Sequence, residues 1–459
     1  MRVLGIGEYC NLGDLYWRLS QAGHEVRVYV ADPAAHGIFK GAVERVAHWS
    51  DHLPWIRAAG REGVIVFESA LRGDLQDRLR DEGYAVIGGS AYGDRLENDR
   101  PFGQELLRRA GLPVAPTYPF TSFQDAREFL RRHPGRYVFK LNDSDAASTR
   151  NYVGELADGT DLDAVLAREQ AQWQAPRAPS FVLMQHVAGI EVGVGAYFDG
   201  HDFLAPALLD FEHKRFFTGE QGELTGEMGT VVSYRGAERL FARTLAPLRA
   251  ALERGRYLGY INLNTIVSGE AIHPLEFTCR FGYPGFAICD ALHAEGWDSI
   301  FRRMLGGAGE LPTHPGYAVG VVLTLPPFPY ENVRGVSAAG VPVRFAPGSG
   351  AAQRAQLHFG EMARRGEEWI ATGPSGYLMV ATGRGPDVRA AQQAAYAAAA
   401  QVRAPNLRYR PDIGDRVWQS DLERLRRWGW LPTAPESRAQ AATASSSVLA
   451  SVSTPSSAR

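Results

Sequence analysis

Four short apolar runs in the first 95 residues constrain this chain more than any other feature. Val3-Leu4-Gly5-Ile6-Gly7, Val26 to Val30, Gly63 to Phe67 and Tyr84 to Gly88 read as buried strands. Asp14 to Gln21 reads as a helix between the first two. Runs too short to be helices, separated by helical spacers, predict a parallel sheet with helices on both faces. Gly5-x-Gly7 lacks the third glycine of a dinucleotide fingerprint, because Cys10 stands at that spacing, so a nicotinamide oxidoreductase is disfavoured.

At 459 residues the chain exceeds what one core can bury, and about three domains or subdomains are expected. A net charge of −2 provides no basic stripe for nucleic acid. The start, Met1-Arg-Val-Leu-Gly-Ile-Gly, runs directly into a strand, and no apolar stretch reaches membrane-spanning length. Cys10, Cys279 and Cys289 lack metal spacing or a disulfide framework. A cytoplasmic protein, monomer or homodimer, is expected, acting on small molecules with no membrane partner.

Further along, a helix from Leu96 to Ala110 carries Arg100, and Gly111-Leu-Pro-Val-Ala-Pro marks a hinge. Strands are predicted at 137–141, 180–185, 260–267, 271–277, 318–325 and 376–382. Helices are predicted at 236–254 and Pro386 to Val402. The expected domains are 1–95, an N-terminal Rossmann-like domain; 96–188 and 189–310, two further subdomains; and 311–418, a small α+β domain. Residues 432–459, rich in Ala, Ser, Thr and Pro, lack the apolar surface to repay ordering and are expected to be disordered.

The charge code is unusual. Of 49 basic residues only three are lysines: Lys40, Lys140 and Lys214. Where arginine serves for nearly every positive charge, lysine marks places that need a compact three-donor ammonium. Lys140 ends the apolar run Tyr137-Val138-Phe139 beside the polar turn Asn142-Asp143-Ser144-Asp145, a setting suited to a phosphate. Lys214 lies in Glu212-His213-Lys214-Arg215, ahead of a glycine-punctuated stretch from Gly219 to Gly229. Lys40 reads as an ordinary surface residue.

The densest chemistry is His273-Pro-Leu-Glu276-Phe-Thr278-Cys-Arg280-Phe-Gly282-Tyr283-Pro284. On a strand Glu276, Thr278 and Arg280 share one face. A carboxylate, a hydroxyl and a guanidinium in a row make sense together if the carboxylate holds Mg²⁺ and the arginine meets an anion beside it. Asn262 and Asn264, on the preceding strand, can lie across from Glu276 through the turn at Ser268-Gly269-Glu270.

These residues resemble the ATP-grasp ligases, and more narrowly phosphoribosylamine–glycine ligase. That family carries Glu-Phe-x-x-Arg-Phe-Gly-Asp-Pro, here Glu276 to Pro284 with Tyr283 in place of Asp. It carries His-Lys-Arg before a Gly-Pro-Asn-Thr-Gly-Gly-Met-Gly loop, here His213-Lys214-Arg215 and then Thr225-Gly226-Glu227-Met228-Gly229. Arg410-Pro-Asp412-Ile-Gly414-Asp-Arg416 is similar to its closing motif. The likeness runs from about residue 1 to 418.

The resemblance implies an ATP-grasp fold, α/β and α+β multidomain, with an N-terminal Rossmann-like sheet. It implies ATP and Mg²⁺ (or Mn²⁺) as cofactors and amide formation from a carboxylate and an amine through an acyl phosphate. Lys140 and Arg100 would reach the ATP phosphates, with Arg150 the cation kept in the covering loop. Gln185, His186 and Val187 would meet the adenine edge, and Glu191 would lie near the ribose. Glu276, Thr278 and Asn264 would hold the metal, with Asn262 in the same region. Arg280 and Lys214 would assist catalysis alongside Lys140.

The N-terminal loop departs from the family's Arg-Glu-His pattern and instead reads Gly7-Glu8-Tyr9-Cys10-Asn11-Leu12-Gly13-Asp14, poor company for a ribose 5-phosphate. The expected substrates are glycine or another small amino acid and an amine. Phosphoribosylamine, a modified nucleotide or DNA base (virus-encoded, in a host cytoplasm) and a natural-product amine are the candidate acceptors. A catalytically impaired nucleotide-binding relative is the alternative from another class, since Thr278 stands in for a metal-binding asparagine.

Overall fold

The computed structural model describes residues 1–142, 148–174, 177–307, 309–330, 333–348, 350 and 354–433. The expectation of disorder for the tail falls outside the described residues from 434 onward, and so does most of the polar turn after Asn142.

The N-terminal unit is the parallel sheet that the apolar runs predict. Strands β1 (Arg2–Gly7), β2 (Glu25–Val30), β3 (Glu44–Arg45), β4 (Gly63–Phe67) and β5 (Ala85–Ile87) take the order β3-β2-β1-β4-β5. The order reverses beside β1, so the carboxyl ends of β1 and β4 open on a crevice. Val3, Leu4, Ile6, Val64, Ile65 and Val66 are completely buried, because helices cover both faces.

The expected helix from 96 to 110 is instead two helices, Ala91–Asn98 and Arg100–Arg109. The break lies at Asp99, whose side chain accepts from the Phe102 amide, and Pro101 sits in the first turn where its missing N–H costs nothing. This places Arg100 at the start of a helix. The 236–254 prediction likewise divides into Glu238–Arg243 and Arg249–Arg254, with Pro247 in a 3-10 turn between them.

A four-stranded antiparallel sheet, β6 (Thr117–Phe120), β7 (Tyr137–Leu141), β8 (Tyr152–Val153) and β9 (Phe181–Gln185), forms the first lobe of the clamp in the order β6-β9-β7-β8. Its own aromatic core includes Phe123, Phe139 and Phe181, with Phe123 stacked on Phe181 at 4.9 Å.

The second lobe is built on an eight-stranded sheet. It contains β10 (Ile190–Phe198), β11 (Leu208–Phe217), β12 (Gln221–Ser233), β13 (Gly259–Val267) and β14 (Ile272–Thr278). The domain boundary expected near residue 310 does not divide this sheet. Strands β15 (Tyr317–Thr324), β17 (Leu357–Phe359) and β20 (Tyr377–Gly385) extend it, giving the order β14-β13-β10-β11-β12-β15-β20-β17. The alanine-rich helix Val388–Ala399 packs on β15 and β20, its small side chains allowing close approach. Strands β16 (Pro342–Phe345), β18 (Met362–Arg365), β19 (Glu368–Ala371) and β21 (Val402–Arg403) form a small separate sheet.

Asp14 fastens the N-terminal unit to the C-terminal strands. Fully buried, it accepts from Arg18 (2.5 Å), from the His358 ring (3.0 Å) and from the Phe359 amide (3.0 Å). Burial alone would raise its pKa, but Arg18 and His358 outweigh that and hold it below the ordinary value of 3.8. Asp14 therefore joins two units and does not face a substrate loop. Asp14→Ala should cost about 3 kcal/mol, since it strands Arg18 and the Phe359 N–H, measured as a lower urea midpoint. The contribution is complete above pH 3.8 and fades as the pH falls toward the lower folded-state pKa, so wild type and variant should converge in acid.

Candidate active site

The floor of the cleft follows from period-two alternation on four adjacent strands. On β10, Val192, Val194 and Ala196 point into the core, while Glu191, Gly193 and Gly195 lie on the opposite face. On β11, Asp210, Glu212 and Lys214 share one face. On β13 the corresponding set is Tyr260, Asn262 and Asn264, and on β14 it is Glu276 and Thr278. The register of β13 and β14 pairs Asn264 with Glu276 and Asn262 with Thr278. The glycines on β10 clear the space these side chains occupy: a Cβ at Gly193 would strike the Asp210 carboxylate, and one at Gly195 the Tyr260 hydroxyl.

Charge is laid out in alternating sign. Lys214 Nζ lies 2.7 Å from Glu191 Oε1 and 2.9 Å from Glu212 Oε2. Burial opposes its charge, yet Glu191 and Glu212 hold its pKa well above the ordinary lysine value. Asn264 Nδ2 donates to the same two carboxylates, at 3.0 and 2.9 Å. Opposite, Glu276 Oε2 is 3.4 Å from Lys140 Nζ and 3.7 Å from Arg100 Nη2. Lys140 above all keeps the Glu276 carboxyl ionised, far below the usual range, with Lys214 and Arg100 adding to it. Burial lowers the Lys140 pKa in turn, although Glu276 opposes this. The helix break at Asp99 is what directs Arg100 to Glu276, on the strand against which its helix packs.

Two cavities open on this floor. The first, of about 300 Å³, lies between the lobes. Its walls include the apolar Val138, Val153, Met184, Ile266 and Leu275, and its polar end carries Lys140, Glu191, Lys214 and Glu276. Gln185, His186 and Val187 border it as expected. The N–H groups of Gln185 and His186, however, donate to the Pro116 and Arg136 carbonyls, so a ligand would meet their other atoms and Val187. The second cavity, of about 290 Å³, continues past Lys214, Gly226 and Glu276 to Asp210, Glu227, Thr230, Thr278, Arg280 and Tyr283.

Arg280 borders this second chamber, and its Nε is held by Glu97 at 3.0 Å. Burial lifts the Asp210 carboxyl to about 7, Glu212 adding repulsion. Burial and then Glu212 push Glu227 well above the usual carboxylate range. Arg150 departs from expectation. It pairs with Glu169 at 2.6 Å and lies over the Trp173 ring, bordering a separate pocket that Glu223 and Tyr330 help to line. Glu169 and Trp173 follow Arg150 too far in sequence for spacing alone to foresee this pairing.

Glu212, Asp210 and Glu227 also line the second cavity, and the spacing Asp210-x-Glu212-x-Lys214 was a signal for two of them that sequence reasoning passed over. The closing motif proves structural. Arg410, buried, grips Asp412, Glu220 and the Arg215 carbonyl; the Gly414 amide donates to His213 Nε2; and Arg416 donates to the Glu212 carbonyl. It clamps β11 from outside and so fixes Lys214.

With this geometry in hand, comparison with known proteins is decisive on one point. Residues 98–286 match the family of the phosphoribosylglycinamide synthetase ATP-grasp (A) domain. The computed structure superposes on the phosphoribosylamine–glycine ligase of Thermotoga maritima with a TM-score of 0.67, at 20% identity, covering 90% of this chain and all of that one. The fold is ATP-grasp. The biotin carboxylase domain of the Hydrogenobacter thermophilus 2-oxoglutarate carboxylase, a complex with MgADP and bicarbonate, shares it at a TM-score of 0.58 and 11% identity, covering 89% and 91% of the two chains. In sequence, the chain is 26% identical to phosphoribosylamine–glycine ligase of Ralstonia nicotianae over 91% of its own length and 99% of the relative's. The corresponding values for Halalkalibacterium halodurans are 25%, 91% and 97%. The chain is similar to phosphoribosylamine–glycine ligase along most of its length, and residues 98–286 carry the match to the ATP-grasp domain. Among the described residues no helix is long and apolar enough to cross a membrane.

The cavity between the ATP-grasp lobes and the pocket that holds Arg150 make separable demands. Lys140→Ala should weaken ADP binding at least tenfold by calorimetry, and Arg150→Ala should change it by less than about threefold. Equal losses would return Arg150 to the nucleotide site.

Proposed function

We propose that this protein couples ATP cleavage to amide formation between an amino-acid carboxylate and an amine. The observation that carries the proposal is the cation cluster at Glu276, where Lys140, Arg100 and Lys214 surround one ionised carboxylate at the junction of two cavities. The first cavity has an apolar box for a base and a polar end for phosphates. Arg100 supports this further, because its Nη1 is buried with no hydrogen-bond partner and is thus a donor in need of an anion.

A divalent cation fits the same junction. Asn264 Oδ1 is a buried acceptor without a donor, directly across the ladder from Glu276, and oxygen ligands suit Mg²⁺ or Mn²⁺. Glu276 and Asn264 would hold the ion, with Thr278 one pair along, and when bound it would offset phosphate charge.

The remaining work falls to the chain. A carboxylate oxygen of the donor attacks the γ-phosphorus of ATP, and the bond to the bridging β-phosphate oxygen breaks to release ADP. The amine nitrogen then attacks the acyl carbon, loses a proton, and phosphate departs. Lys140 and Arg100 neutralise the transferring group, and Arg280 faces the acid side of the chamber. The two lobes hold the reactants in line and exclude water, which in phosphoryl transfer is most of catalysis. Removing one such cationic contact costs about 3–4 kcal/mol of barrier, a factor of roughly 10²–10³. Lys140→Ala and Glu276→Gln should each reduce ADP release at least that far while circular dichroism stays unchanged. Full turnover in either would refute the assignment.

The acceptor side supports an amine other than phosphoribosylamine. At the crevice above β1, Glu8 forms a two-pronged pair with Arg72, at 2.7 and 3.2 Å, and a phosphate would have to displace it. Below it, Glu68 fills the space beside Gly7 and accepts from the Asn11 amide, its carboxyl lifted to about 7 by burial. A modified base without a free 5-phosphate, or another amine that lacks one, suits this crevice better. Phosphate release from a panel of amines with a fixed amino acid tests this, and phosphoribosylamine should rank low. Efficient turnover with it would overturn this assignment of the crevice.

A further inference from the structure

The second chamber has a chemical deficit that the ligase reaction leaves unexplained. Asp210 and Glu227 are 5% and 8% exposed and border the same void, yet among the described residues neither has an arginine or lysine paired to it. The nearby cations are engaged: Lys214 by Glu191 and Glu212, Arg280 by Glu97. Asp210 Oδ2 accepts from Asn262 at 2.6 Å, but Oδ1 accepts from nothing. Glu227 Oε1 is without a donor, and so is the hydroxyl of Thr230, a residue only 2% exposed.

With Asn264 Oδ1, assigned above to the divalent cation, four orphaned polar groups border this cavity among the described residues, and the three left over call for a complement of their own. Once ionised, Asp210 and Glu227 require a complement that donates hydrogen bonds and carries positive charge, which would offset the burial that lifts both carboxyls. Among the described residues no group of three or more acidic, histidine or cysteine ligands could hold a metal. Tyr260 and Tyr283 supply ring surface of the kind that favours organic cations. The volume of about 290 Å³ equals roughly ten waters at about 30 Å³ each, more than a two-carbon acid fills. Glu227 also stands where the resembling ligases have the second glycine of a Gly-Gly pair, so this carboxylate is an addition in this chain.

We propose that the chamber is a subsite for a side-chain ammonium of the carboxylate substrate, held between Asp210 and Glu227; the α-ammonium of glycine could meet one of these carboxylates but would leave most of the chamber unfilled, so the acid activated is a diamino acid. The ammonium satisfies both orphaned carboxylate oxygens, and its carboxyl reaches back toward Glu276 and Arg280. This rests on the ligase reading for the identity of the substrate, but the subsite itself rests only on the chamber.

Calorimetry on the full chain with MgADP present tests it without turnover. Ornithine or 2,4-diaminobutyrate should bind at least tenfold more tightly than norvaline, which keeps the α-ammonium and ornithine's carbon chain but lacks the side-chain ammonium. Asp210→Asn and Glu227→Gln should each bring that preference within about twofold while MgADP affinity is unchanged, since neither residue borders the nucleotide cavity. Glu227→Gly provides a second variant at that position should Glu227→Gln fold poorly. Norvaline or glycine binding as tightly as the diamino acids, no signal from either diamino acid, or equal weakening of all acids in the variants would overturn the proposal. A preserved preference without ADP release would sink the ligase reading and leave the subsite standing; turnover without any preference would do the reverse.

Discussion

Lys214 held between Glu191 and Glu212 is the interaction on which the cleft depends. Three strands contribute to it: β10 through Glu191, β11 through Glu212 and Lys214 itself, and β13 through Asn264, which donates to both carboxylates. Like charges on neighbouring strands repel, and buried charges are costly unless paired. The compact ammonium satisfies two carboxylates at once, a geometry a planar guanidinium fork does not reproduce. In a chain that writes arginine almost everywhere, lysine was kept here.

The second lysine has the complementary task. Lys140 comes from the other lobe, and its ion pair to Glu276 spans the cleft. The lobes therefore meet through a contact between a cation and a carboxylate that an ATP phosphate and its counter-ion would remodel. Two devices aim the groups at this point. The helix break at Asp99 and Pro101 points Arg100 inward, and the clamp from Arg410 to Arg416 holds β11 from behind. Neither device needs to touch a substrate to matter.

The N-terminal unit shows what changes when the same fold receives different side chains at a loop. Its sheet and switch point are those of a crevice-forming α/β unit, but the crevice rim is closed by the Glu8–Arg72 pair and filled beneath by Glu68. The geometry of the nucleotide half rests on residues matching the ligase motifs, whereas the rim and the acid chamber rest on departures from them. Divergence concentrated where substrates differ, with phosphate handling kept, is what a change of specificity on a constant reaction requires.

The sequence by itself determined the elements and the face each residue occupies. Apolar runs gave the parallel sheet, and period-two alternation put Glu276 and Thr278 on one face, with Asn262 and Asn264 across the ladder, because strand geometry is local. Local pattern also misled where a proline intervened, at 101 and 247, and where a boundary near 310 was drawn through a continuous sheet. Long-range pairing lay beyond it: Arg150 turning to Glu169, Asp14 reaching His358, and Asp210 meeting Glu227 without a cation between them. Those are decided by which strands become neighbours and by how much solvent the packed lobes exclude. A charge has no fixed partner, and no fixed cost, until the tertiary structure removes its water.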